Sequence, residues 1–79
     1  MQNPTPLSAP AHVQQQTALI RRHEVERLTG MSRSRIYDLM DKGEFPTNVR
    51  LGPMSVAWLE SEIHEWIAAR IAASRKAGE

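Results

Sequence analysis

His23-Glu-Val-Glu-Arg-Leu-Thr-Gly-Met-Ser-Arg-Ser-Arg-Ile-Tyr-Asp-Leu-Met-Asp-Lys-Gly43 is the stretch that decides how this 79-residue chain folds. Val25, Leu28 and Thr29 recur at helical spacing, and Gly30 follows them as the residue best suited to left-handed backbone after a helix. Ser32 then offers a hydroxyl able to accept a hydrogen bond from a free amide in the first turn of a second helix. Ile36, Leu39 and Met40 line one face of that helix, Asp38 and Lys42 stand four apart in the favourable order, and Gly43 ends it. Two short helices joined through Gly30-Met31 make a helix-turn-helix. Val25 and Leu28 must meet Ile36 and Leu39 across the bend, with Met31 plugging the corner.

Downstream, the pattern changes. Pro46 and Gly52-Pro53 punctuate a stretch in which Val49, Leu51, Val56 and Trp58 alternate with other residues, which predicts a β-hairpin turning near Gly52-Pro53. Trp58 closes that hairpin as a core residue. From about Glu60 to Ser74 the helical period returns. Ile63, Trp66, Ile67 and Ile71 form its apolar stripe, with glutamates at its start and Arg70, Arg75 and Lys76 towards its end, as the helix dipole favours. Upstream, Thr17-Ala-Leu-Ile20 reads as a short strand. Residues 1–16 hold three of the five prolines and a glutamine run, a composition that predicts a flexible tail. The expected organisation is a tail over 1–16, one domain over 17–76 and a frayed end at 77–79. The fold class is mainly α with a small hairpin wing.

Composition removes several classes of function. The chain has no cysteine, which excludes disulfide scaffolds, thiol nucleophiles and thiolate zinc sites. No stretch approaches the roughly 20 apolar residues needed to cross a bilayer, and the N-terminus lacks the organisation of a signal peptide. A cytoplasmic, nucleoid-associated protein with no membrane partner is expected. His12, His23 and His64 have no ligand spacing, and Glu60, Glu62 and Glu65 are explained by a dipole-favoured first turn. With neither a nucleophile–base arrangement nor a Gly-rich phosphate loop, the reading is a non-enzymatic protein without cofactor or metal.

The outward face of the second helix carries the function. With Ile36, Leu39 and Met40 turned inward, Ser32, Arg33, Ser34, Arg35 and Tyr37 face away, in the part of a recognition helix that reaches base edges. Arginine suits guanine O6 and N7; serine and tyrosine hydroxyls suit phosphates. Lys42 lies at the far end for backbone contact, and Arg50, on the hairpin, for phosphate or the minor groove. From Arg21 to Arg50 there are seven arginines and lysines against five carboxylates, and the whole chain has a net charge of +1. Nonspecific affinity should therefore be weak and salt-sensitive, so that several copies on neighbouring sites are expected to bind together.

At these residues the chain resembles the AlpA family of phage and mobile-element regulators, within the wider group of MerR-like winged helix-turn-helix and excisionase-like proteins. The resemblance is carried by Leu28-Thr-Gly-Met-Ser-Arg-Ser34, Ile36-Tyr37, Gly43-Glu-Phe-Pro46, Val49-Arg-Leu-Gly52, Ser55-Val-Ala-Trp58, Glu60-Ser-Glu-Ile63 and Trp66-Ile67, across roughly residues 20 to 71. It implies a winged helix-turn-helix that binds double-stranded DNA and regulates genes of an integrated element. Its role would be that of a transcriptional regulator or of an excisionase, a recombination directionality factor that bends attachment-site DNA. By this resemblance Ser32, Arg33, Ser34 and Tyr37 match the reading helix and Arg50 a basic wing position. Arg35, Met54 and Glu26 depart from the family pattern, which often has a small hydroxyl residue, an arginine and a small residue there. A reading from another class is a protein-interaction adaptor. In it the third helix, with Ile63, Ile67, Ile71 and Arg75-Lys76, docks an integrase or a second copy of the chain.

Overall fold

The computed structural model describes residues 18–77; the expected tail and the last two residues lie outside this range. In chain order the elements are β1 (Leu19–Ile20), α1 (Arg22–Thr29), α2 (Arg33–Asp41), β2 (Val49–Gly52), β3 (Ser55–Leu59) and α3 (Glu60–Ala77). They form the winged helix-turn-helix expected from the sequence.

The turn between α1 and α2 is built from short-range chemistry. Gly30 sits at φ 75°, and its amide donates to the Glu26 carbonyl at 2.8 Å. The Thr29 hydroxyl donates to the Val25 carbonyl at 2.8 Å and accepts from the Met31 amide at 3.2 Å, tying the corner to α1. Ser32 caps α2 by accepting from the Arg35 amide at 3.2 Å. At the other end of α2 the Gly43 amide reaches the Met40 carbonyl and the Glu44 amide the Leu39 carbonyl. With Gly43 at φ 73°, these two bonds are a Schellman termination.

Val25, Ile36, Leu39, Phe45, Trp58 and Ile63 form the buried core, and Leu28, Met31, Met40, Trp66 and Ile67 pack against it. The expected meeting of α1 and α2 across the bend therefore occurs. Glu26, the departure on α1, leaves this packing intact because its carboxylate pairs along the helix with Arg22 at 2.9 Å. On the exposed side of α1, the Arg27 guanidinium bonded to Glu24 holds that carboxyl below its ordinary value.

The sheet is wider than a hairpin. β3 lies in the centre, with β2 and β1 antiparallel on either side, Arg50 opposite Val56 and Ile20 opposite Trp58. The Glu60 amide donates to the Ala18 carbonyl, extending the seam to the start of α3. Alternation located the strands correctly, yet Val49 and Leu51 are exposed while Ala57 and Trp58 carry the burial. The register shifts between Arg50 and Gly52, so the strand bulges at Leu51, where the wing reaches beyond the core.

The apolar stripe of α3 is also longer than the body it covers. Ile63 is fully buried and Trp66 and Ile67 are half-buried, whereas Ile71 and the rest of the helix to Ala77 are exposed. None of the described helices is long and apolar enough to cross a membrane.

Candidate nucleic-acid interface

The Ile36–Leu39 side of α2 is fixed in the core, at 0% and 2% exposure, and that sets what the helix shows to solvent. Ser32, Arg33, Ser34 and Arg35 are all exposed, in the cap and first turn. The structure thus brings four of the expected residues onto one accessible surface at the helix N-terminus, where the dipole adds attraction for an anion. Lys42 is exposed at the opposite end, and Arg50 lies on β2 rather than on this helix.

The four cations are held in three ways. The Arg33 guanidinium lies over the Tyr37 ring, 5.0 Å from its centroid. Tyr37 is half-buried and meets Trp58 edge-on at 6.2 Å, so the stack runs from the exposed face of α2 into the core. Arg35 and Lys42 both pair with Asp38, at 3.3 Å and 3.1 Å, on the same oxygen. Arg50 donates to the Pro53 carbonyl at 3.2 Å, which folds it against the turn of its own hairpin. The tip beside it is Met54, 94% exposed.

Two tryptophans hold the segment between α2 and the wing. Trp58 Nε1 donates to the Pro46 carbonyl at 3.2 Å, and Trp66 Nε1 donates to the Glu44 carbonyl at 2.8 Å. Both acceptors lie in the segment joining α2 to β2. Phe45 is buried between them and packs edge-on against Trp66 at 4.9 Å. Sequence spacing marks both tryptophans as core. Their role as clamps on the connecting segment carries no local signal, because the acceptors are backbone carbonyls 12 and 22 residues away. The same spacing shows Asp38 only as a helix-stabilising partner of Lys42; its second partner, Arg35, lies three residues before it on the same face.

His64 pairs with Glu60 along α3 at 3.5 Å, and His23 is exposed near the start of α1. His12 lies outside the described residues. Among the described residues no group of three or more histidines and carboxylates is arranged to hold a metal.

The sequence model of one protein family, Prophage CP4-57 regulatory protein (AlpA), matches residues 18–71. That range contains β1, the helix-turn-helix, the wing and α3 as far as Ile71. The chain is 51% identical over 61 residues to the uncharacterized protein ORF88 of Enterobacteria phage P4, covering 77% of this chain and 69% of that protein. It is 38% identical over 58 residues to the DNA-binding transcriptional activator AlpA of Escherichia coli (strain K12), covering 66% of this chain and 83% of that one. With helix-turn-helix, wing and closing helix all inside the matched range, the chain belongs to the AlpA family of phage regulatory proteins.

Proposed function

We propose that this protein is a sequence-specific regulator that binds double-stranded DNA with the N-terminal turn of α2 in the major groove. The observation carrying this reading is the exposed Ser32–Arg35 surface, held outward by the burial of Ile36 and Leu39. Arg33 is the leading base contact, since its charge is balanced by no carboxylate in the described ion pairs and its ring support restricts its motion. Ser34 suits a phosphate. The Ser32 oxygen is committed to the cap, which leaves its hydrogen to donate to phosphate. Arg50 meets the DNA through the wing. Membership of a family whose E. coli relative is named as a DNA-binding transcriptional activator supports the transcriptional side of the reading. The excisionase role is the architectural form of the same binding, marked by bending at an attachment site.

A gel-shift titration on the promoter and attachment-site DNA of the host element tests this, comparing the natural chain with Arg33→Ala. Losing one bidentate guanine contact is worth about 1–3 kcal/mol, roughly a 5- to 150-fold loss of affinity. An unshifted duplex at moderate salt, with the protein folded, would sink the proposal. The exposed end of α3, with Ile71 at its flank, supports the second reading, in which an integrase or another copy docks there. Under that reading alone, Arg33→Ala leaves complex formation unchanged and Ile71→Asp abolishes it.

A further inference from the structure

The outward side of α2 carries two exposed carboxylates, Asp38 and Asp41, and Asp38 is the one that pairs with its cations. Arg35 Nη1 and Lys42 Nζ, one turn before and one turn after Asp38, both bond to Asp38 Oδ2, at 3.3 Å and 3.1 Å. The Asp38 side chain is 48% exposed, so this oxygen lies at the accessible surface and not beneath it. Arg33 has a different arrangement: an aromatic ring beneath it, and no carboxylate partner among the described residues. The face is therefore divided into a cation without a carboxylate partner at the N-terminal end and two cations that share one carboxylate further along.

This division matters for a duplex of arbitrary sequence. Affinity for such DNA comes from cations that neutralise phosphates and release counterions. A phosphate approaching Arg35 or Lys42 must displace Asp38 and then tolerate a carboxylate nearby. On a matching sequence the same carboxylate acquires a partner, because a carboxylate in the major groove accepts a hydrogen bond from the N4 amino group of cytosine. We infer that Asp38 is a specificity-determining residue: it withholds Arg35 and Lys42 from arbitrary phosphates and accepts from a cytosine amino group at the matching site. The inference rests on the DNA-binding reading above and adds to it a residue whose removal should strengthen the wrong interaction. An exposed ion pair contributes little to folding, so the effect is separable from stability.

The test compares the natural chain with Asp38→Asn and Asp38→Glu on two probes: a random-sequence duplex, and duplexes that the natural chain selects from a random pool. Asp38→Asn is expected to raise affinity for the random duplex by roughly eight-fold at 0.1 M salt for each further phosphate neutralised, and to steepen the salt dependence by about 0.9 per phosphate. Affinity for the selected duplexes should rise less or fall, and one cytosine position should lose its preference when the pool is selected again with Asp38→Asn. Asp38→Glu, which keeps the charge, should retain the natural salt dependence. Equal changes on both probes, or no change on either, would overturn the inference while leaving DNA binding standing. If the natural chain retains no duplex from the pool, the DNA-binding reading fails and this inference with it.

Discussion

Trp58 joins the core, α2 and the segment between α2 and β2. It is fully buried, its ring meets Tyr37 beneath Arg33, and its indole N–H holds the Pro46 carbonyl. It also lies in the central strand, opposite Ile20. Replacing it removes apolar burial, an aromatic contact and a hydrogen bond together. Trp58→Ala is expected to cost about 3–5 kcal/mol, much of the stability available to so small a domain. Urea unfolding followed by circular dichroism should show a chain largely unfolded without denaturant. Trp58→Phe keeps most of the burial and leaves the carbonyl without its donor, so a loss of about 1–3 kcal/mol is expected. Tyr37 shows how residue-scale roles shift on folding. Its position on the second helix points to phosphate, and its half-buried ring also supports Arg33.

Among the elements, the bend between α1 and α2 governs how the exposed face of α2 is presented. Gly30 occupies left-handed backbone, and a Cβ placed there would meet nothing within 4 Å. The cost of a side chain is therefore backbone strain alone. Gly30→Ala should destabilise by about 1–2 kcal/mol, with Gly30→Asn milder because asparagine tolerates this conformation better. Chemical denaturation of the two variants checks the order. A larger loss in both would mean that the bend depends on packing rather than on φ. The wing and the helices differ in how much the sequence revealed of them. Cap, stop and period sit within a few residues of one another in α1 and α2, so those elements could be read directly. In the wing, alternation marks strands but not which strand is covered. Ala57 and Trp58 are buried because β3 is central and packs against α1 and α3, while Val49 and Leu51 sit on an outer strand that bulges away.

For the molecule as a whole, the core and α3 do not end together. Ile63 is fully buried, but Ile71 is 45% exposed on a helix that continues to Ala77. Ile63→Ala is expected to cost about 2–5 kcal/mol. Ile71→Asp should change stability by no more than about 0.5 kcal/mol in the isolated chain, as surface substitutions do. Thermal unfolding of the two variants separates the supported half of the helix from its projecting half. Comparable losses would show that the last turns are packed against something in solution. Sedimentation of Ile71→Asp beside the natural chain would then show whether that something is a second copy.

The order of elements, the helix-turn-helix bend, the face of α2 that turns outward and the hairpin that follows were all legible in the amino-acid sequence. These depend on glycine conformation, a serine cap and apolar periods, all of which act over a few residues. The tertiary structure decided the pairing of Leu19–Ile20 with β3, far along the chain, and the clamping of the α2–β2 segment by two indoles. It also decided the Arg33–Tyr37–Trp58 stack. Asp38 lies between the two cases, since its pairing with Lys42 was read from the sequence and its pairing with Arg35 was not. Only the folded molecule shows both cations on the same Asp38 oxygen, because that depends on the side-chain rotamers and not on helical spacing.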